Sequence, residues 1–145
     1  MFIKLMDYTF TFDPKKRGLR QILGDLEAEI MELVWDIGDV TVRDVHERLS
    51  RKRAIAYTTV MTVMSRLSDK GLLTKKKTGT AHLYYPTSSR KEFTESSVKT
   101  VINKLIQEFA SPTINQFVEY LDIEDPEKLE ELSRLIEEKR KNRHD

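Results

Sequence analysis

The chain contains no cysteine, which excludes disulfides, thiolate metal sites and thiol nucleophiles and leaves the redox compartment unreadable from thiol usage. Long apolar runs are also missing. None exceeds four residues, against the ~20 needed to cross a bilayer, and Met1 to Phe10 lacks the layout of a secretory signal. These absences predict a cytosolic protein with no membrane partner. Glycine and proline are sparse, five and four in 145 residues, and act as punctuation between elements; no internal repeat or low-complexity tract is present. Catalytic arrangements are lacking as well. His46, His82 and His144 are scattered without metal-ligand spacing, and no Gly-rich phosphate loop, nucleophile elbow or paired-carboxylate arrangement stands out. The acid runs Glu124 to Glu131 and Glu137-Glu138 read as solvated helix faces. The expectation is a non-enzyme that uses no metal and no cofactor.

What is present is an uneven distribution of charge. The formal total is only +1, yet between Arg51 and Lys91 ten Lys or Arg residues face one acid, Asp69. The flanks carry the opposite sign, −3 for residues 1–50 and −5 for residues 92–145. Only the middle attracts a polyanion, and a concentrated basic stripe releases more condensed counterions from a phosphate backbone than the same charges spread evenly. Taken alone, such a run is equally well a solvated basic face. With 39% hydrophobic and 34% charged residues, the chain can build a small, helix-rich core. Its length suits one domain, or one compact domain with an appendage that needs a partner.

The order of elements supplies the context that charge lacks. Tyr8, Phe10 and Phe12 alternate with Thr9 and Thr11 ahead of Asp13-Pro14, the pattern of a short strand or extended arm. Leu26, Ile30, Leu33, Val34 and Ile37 recur at helical spacing, with Asp25 as cap and Gly38 as stop. Trp35 and Met31 lie beside that stripe as core packing. A Thr-x-x-Asp box at Thr41 and Asp44 precedes Val42, Val45 and Leu49, which marks a short second helix ending near Ser50. A third helix runs from about Tyr57 to Lys70 on the stripe Val60, Val63, Met64 and Leu67, and Gly71 ends it. Leu72 to Lys77 and Thr80 to Tyr85 then form a hairpin around Thr78-Gly79, closing at Pro86.

The far side of the third helix decides the expected function. At 100° per residue, Thr58, Thr62, Ser65 and Asp69 project away from the stripe, with Thr59 and Arg66 beside them. Small hydroxyl side chains let a helix settle into the major groove. There Thr can bond base edges or touch the thymine methyl, and Arg can take phosphate or guanine. A plain polar solvent face has the same composition, but here it follows directly on a capped helix. Lys75, Lys76 and Lys77 sit beside the hairpin tip, placed to grip phosphates flanking the groove, and Tyr84 or Tyr85 adds a hydroxyl donor while the other is core. The candidate DNA contacts are Arg53, Tyr57, Thr58, Thr59, Thr62, Arg66, Lys75, Lys76, Lys77 and Tyr84.

Three stretches carry a family likeness: Leu26-Glu27-Ala28-Glu29-Ile30-Met31-Glu32-Leu33-Val34-Trp35, then Val40-Thr41-Val42-Arg43-Asp44-Val45, then Tyr57-Thr58-Thr59-Val60 through Arg66-Leu67 to Lys70-Gly71-Leu72. Together with Tyr84 or Tyr85 before Pro86, they closely resemble the penicillinase-repressor family (BlaI/MecI/CopY type). The resemblance spans roughly Leu23 to Pro86. It implies a mostly helical chain with a small β-hairpin: a winged helix-turn-helix DNA-binding domain followed by a C-terminal helical dimerisation region. It also implies a homodimer on a palindromic double-stranded DNA operator, acting as a repressor. The expected division is an N-terminal extension over 1–22, the winged helix over 23–88 and the helical region over 89–145.

The rest of the chain is compatible with this scheme. Val98, Val101, Ile102, Leu105, Ile106 and Phe109 form one stripe, and Ser111-Pro112 and Asp125-Pro126 each read as a cap with Pro at the first helical position. The candidate dimer contacts are Val101, Leu105, Phe109, Ile114, Phe117, Leu121, Leu132 and Ile136. Three helices over ~55 residues bury a marginal core alone, so a two-fold axis satisfies them better than a closed monomeric helical domain does.

Two departures bear on regulation. The copper-responsive branch carries a C-terminal cysteine motif that this chain lacks, which excludes thiolate sensing of Cu(I). The branch inactivated by cutting an Asn-Phe bond has Glu119-Tyr120 at the corresponding position here, so that mode of induction is not carried over. An inducing protein or ligand of unspecified kind is the remaining expected partner. The competing reading is a winged helix used as a protein-interaction module without sequence-specific DNA binding.

Overall fold

The structure, a computed structural model, describes residues 12–144. The aromatic arm expected over Tyr8 to Phe12 lies outside the described residues except for Phe12, which is exposed. The chain forms two compact units, divided between Lys99 and Thr100.

The first unit begins with a short 3-10 turn, Gly18–Gln21, and three helices: α1 (Asp25–Ile37), α2 (Val42–Ser50) and α3 (Tyr57–Asp69). The expected cap at Asp25 is corrected. Gly24 occupies the cap position, and its N–H donates to the Glu27 carboxylate at 3.2 Å, while Asp25 is the first helical residue and pairs with Lys16 at 3.1 Å. An acid one turn into a helix satisfies an orphan donor and meets the positive end of the dipole, so it can replace a side-chain cap at the preceding residue. Helix α2 forms the full reciprocal box. Thr41 Oγ1 accepts from the Asp44 N–H at 3.1 Å, and Asp44 accepts from the Thr41 N–H at 2.8 Å, an arrangement contributing about 1 kcal/mol. Gly38 at φ 98° ends α1, a left-handed conformation that any Cβ would strain.

Strands β1 (Leu73–Thr78) and β2 (Ala81–Pro86) pair antiparallel, from Leu73 opposite Pro86 to Thr78 opposite Ala81. Gly79 has φ 63° while Thr80 does not have positive φ, the order a two-residue turn with Gly first requires. The hairpin is fastened back to the loop before α2 by an antiparallel bridge. Val40 N–H donates to Tyr84 C=O at 2.9 Å, and Tyr84 N–H donates to Val40 C=O at 2.7 Å.

One core unites these pieces. Ile30, Met31 and Val34 of α1, Val45 and Leu49 of α2, and Val60, Met64 and Leu67 of α3 are buried together with Leu72, Leu73 and Tyr84. Each fully buried side chain of this size contributes roughly 1.5–3 kcal/mol of transfer free energy. The next helix, α4 (Arg90–Glu124), opens inside this unit, because Phe93 belongs to the same core. The first unit runs to Lys99. Trp35 stands at this junction: its Nε1–H donates to Ser88 C=O at 2.9 Å, and its ring lies 5.7 Å from Phe93 and 5.6 Å from the Arg90 guanidinium. Arg90 also pairs with Glu32 and, at 3.2 Å, with Asp36. The hydrogen bonds it donates to Glu32, and then to Asp36, raise its pKa above the ordinary value.

The second unit holds the rest of α4 and helix α5 (Pro126–His144). The expected cap at Ser111 is corrected: the helical path breaks at Phe109 (φ −140°, ψ 54°), and Pro112 lies within the run that follows. Proline has no N–H for the carbonyl four residues back and crowds it, so the path deviates one turn upstream. The Thr113 hydroxyl donates to Phe109 C=O, at the break itself, at 2.6 Å. At α5 the expected cap is present, with Asp125 Oδ1 accepting from the Lys128 N–H at 3.2 Å.

Candidate nucleic-acid interface

Helix α3 presents two different sides. Val60, Val63, Met64 and Leu67 are buried, while Thr58, Thr59, Met61, Thr62, Ser65, Arg66 and Asp69 are exposed. An open hollow of about 790 Å³ lies between this outer side, the hairpin and the start of α2. Its walls include Tyr57, Met61, Thr62, Ser65, Arg66 and Asp69 of α3, Thr41 and Arg43 at the amino end of α2, and Lys75, Thr80 and His82 of the hairpin. The exposed helix face and the ribbon thus converge on one concave surface, with cations on both sides of a row of hydroxyls.

The pairing register sorts the three wing lysines. Directly opposed residues share a face, so Lys75 with Tyr84 and Lys77 with His82 lie on one side of the ribbon, and Lys76 with Leu83 on the other. Lys75 crosses the Tyr84 ring, its Nζ 5.8 Å from the centroid. Lys75, Lys76 and Lys77 are all exposed.

Tyr84 is 3% exposed, its ring in the core and its backbone bonded to Val40, and it also lines the hollow. Tyr85, the half-buried neighbour, is the tyrosine left nearer the surface. Arg53 is exposed, but its guanidinium pairs with Glu29 at 2.7 Å, which makes it first a tie between the loop before α3 and helix α1.

Thr62 carries a further detail. Its hydroxyl donates to the Thr58 carbonyl at 2.8 Å, so the proton faces its own helix while the methyl and the oxygen lone pairs remain available. Tyr57 is exposed at the start of α3 and meets the His46 ring edge-on, with centroids 5.5 Å apart. The Ile55 carbonyl, 2.9 Å from His46 Nε2, can only accept, which puts the imidazole proton on Nε2 and makes His46 a brace for the loop leading into α3.

Sequence reasoning missed Met61, Arg43 and His82 as walls of the hollow. Met61 is 44% exposed, although its apolar character suggested nothing beyond core. The available signal was its position four residues after Tyr57 and one before Thr62. Arg43 could have been found from its place in the first turn of a helix whose amino end faces the same space.

Among the candidate dimer residues, Leu105, Phe109, Ile114, Phe117 and Ile136 are exposed, and Val101 and Leu132 are intermediate. Leu121, at 9%, is already buried within the single chain.

Three helices, the third with an uncovered outer face, followed by a two-stranded ribbon, constitute the winged-helix arrangement. The chain belongs to the penicillinase-repressor family, whose profile matches residues 23–138. The transcriptional regulator BlaI of Mycobacterium tuberculosis is 48% identical over 71 residues, which cover 48% of this chain and 51% of that one. The chain thus spans about half the length of that relative. The penicillinase repressor of Bacillus licheniformis is 26% identical over 121 residues, 83% of this chain and 93% of the relative. Among solved structures, the DNA-binding domain of the repressor BlaI aligns with a TM-score of 0.45 at 26% identity, covering 53% of this chain and 93% of that one. The Bacillus licheniformis BlaI monomeric form in complex with the blaP half-operator aligns with a TM-score of 0.43 at 27% identity, covering 48% of this chain and 85% of that one.

Proposed function

We propose that this protein is a sequence-specific DNA-binding transcriptional repressor that acts in the cytoplasm, as a homodimer, by occupying a palindromic operator and blocking polymerase. The observation that carries the reading is the shared hollow, in which Thr62, Ser65 and Arg66 of α3 line the same concave surface as Lys75 and His82 of the hairpin. Helix α3 reads base edges in the major groove through Thr58, Thr59, Thr62 and Arg66, while Lys75, Lys76 and Lys77 hold flanking phosphates. Tyr57 and Met61 supply apolar contact at the amino end of the same face. The names of the relatives, a transcriptional regulator and a penicillinase repressor, and a solved relative bound to a half-operator, support this assignment.

Dimerisation is supported by the apolar surface of the second unit. Ile102, Leu105, Ile106, Phe109, Ile114, Phe117 and Val118 are all exposed in one chain, and covering each contributes on the order of 1 kcal/mol. A second copy offers a matching surface by symmetry. Two basic faces on one duplex make more phosphate contacts than one, and six to ten contacts weaken binding by about 10³ to 10⁵ between 50 and 200 mM salt. An inducing protein or ligand then has only to shift the dimer or its grip to release the operator.

Footprinting on the DNA upstream of the protein's own gene, followed by titration of the protected duplex and a scrambled one across that salt range, tests the reading. A symmetric footprint with a specific affinity at least 10³ above the scrambled duplex is expected. Equal weak binding to both duplexes would overturn it in favour of a protein-interaction module.

A further inference from the structure

We propose that Lys15, Arg17 and Arg20, in the segment ahead of α1, form a second phosphate-binding surface that extends the grip on duplex DNA beyond the base pairs read by α3. The proposal rests on the DNA-reading assignment and adds to it a contact outside the family match, which begins at residue 23. Four cations, Lys15, Lys16, Arg17 and Arg20, fall within six residues, a cluster concealed by the net negative charge of residues 1–50.

The segment is held in place. Asp13 N–H donates to Gln21 C=O at 2.7 Å, Gly18 takes φ 57°, and Leu19 and Ile22 pack against the core beside buried Leu23. Cations carried on a pinned turn are presented to a ligand with little further loss of backbone entropy. All four basic side chains are exposed, and Lys16 pairs with Asp25. Among the described residues, Lys15, Arg17 and Arg20 enter no ion pair. Exposed ion pairs contribute only about 0–1 kcal/mol, so folding does not account for keeping this much charge here.

Its position relative to the reading helix follows from α1. The first two turns of α1 carry Asp25, Glu27 and Glu29. These take Lys16 from the segment at 3.1 Å, Lys70 just past α3 at 3.0 Å, and Arg53 from the loop before α3 at 2.7 Å. The first two turns of α1 therefore hold both the basic segment and the cations that flank the two ends of the reading helix. The paired cations fix the geometry, and the three unpaired ones supply charge beside it. Duplex phosphate is the partner because the segment is tied through α1 to the DNA-reading helix and presents exposed cations.

The test uses the full chain with Arg17→Gln, Arg20→Gln and Lys15→Gln combined, and a charge-preserving control, Arg17→Lys with Arg20→Lys. Each is titrated with the footprinted operator duplex, the same duplex trimmed to its central contacts, and a scrambled duplex, over a series of salt concentrations. The wild type should bind the long duplex with a steeper salt slope than the trimmed one. The Gln variant should lose about 0.9 of slope per contact removed and on the order of tenfold in affinity at low salt, equally on operator and scrambled DNA. Its preference for the long duplex should disappear, and the lysine control should behave as wild type. Unchanged slope and affinity in the Gln variant overturn the proposal, as does an altered sedimentation mass with unchanged DNA binding, which assigns the cluster to a protein contact. Failure of the wild type to prefer operator over scrambled DNA would sink the base-reading assignment instead, while the slope comparison on the scrambled duplex still decides the basic segment.

Discussion

The two units differ in how a single chain satisfies its apolar residues. In the first, seventeen hydrophobic residues close into one buried cluster, and the exposed face of α3 is largely polar. In the second, Leu121 is the one buried side chain among the described residues, and Phe109, Phe117 and five aliphatic neighbours stay exposed at helical spacing. A stripe that meets other stripes of its own chain makes a fold; one left exposed is what the proposed dimer would cover. The same periodicity underlies both, and only the number of neighbouring elements separates them.

Core truncation should separate the units most strongly. Leu67→Ala removes a fully buried side chain of the first unit and should cost 2–5 kcal/mol, read as a fall in melting temperature that does not depend on protein concentration. A loss below ~1 kcal/mol would mean that the first unit is not the cooperative one. Phe117→Asp should act through assembly. Sedimentation should give a monomer, the melting temperature should lose its concentration dependence, and operator affinity should drop by 10²-fold or more as the two half-sites uncouple. A stable dimer in this variant would break the contrast.

Finer changes sharpen the reading face. Thr62→Ala should relax discrimination at one base pair by about 1–3 kcal/mol while leaving binding to scrambled DNA nearly intact. Thr62→Val separates the two available chemistries, because the Thr62 proton already bonds the Thr58 carbonyl. Discrimination retained by Val identifies methyl contact; discrimination lost identifies the oxygen as acceptor. Equal weakening on all sequences by both variants would remove α3 from the reader's role. The smallest effect belongs to the wing: Lys75→Ala and Lys76→Ala should each lower the salt slope by about 0.9 per wing without changing sequence preference. Because the two lysines lie on opposite faces of the ribbon, a loss confined to one of them tells which face meets the duplex.

Much of the first unit was legible in the residues because its signals are local. The Thr41 and Asp44 box, the stripe Val60, Val63, Met64 and Leu67, and the glycines at 38, 71 and 79 each act within one turn of chain, and the structure has the corresponding helix ends and hairpin. What the residues did not reveal came from partners far along the sequence. Nothing near Tyr84 announces that Val40 will pair with its backbone, and nothing near Arg53 announces Glu29. Met61 went unnoticed as a surface residue because an apolar side chain at helical spacing normally belongs to the core. At Pro112 the position of the helix break depended on how the preceding turn accommodates a missing donor, which moved it from Ser111 to Phe109.

By itself the sequence determined which side of each helix is apolar, where the capped helices begin, and that the positive charge gathers in the middle of the chain. Periodicity and capping are properties of neighbouring residues, so the primary order contains them. Only the tertiary structure decided which cations are tied to carboxylates, which tyrosine is core, and that the hydroxyl face of α3 and one face of the hairpin open onto the same hollow. Those outcomes depend on contacts between residues tens of positions apart, and such contacts exist only once the shared core has brought the elements together.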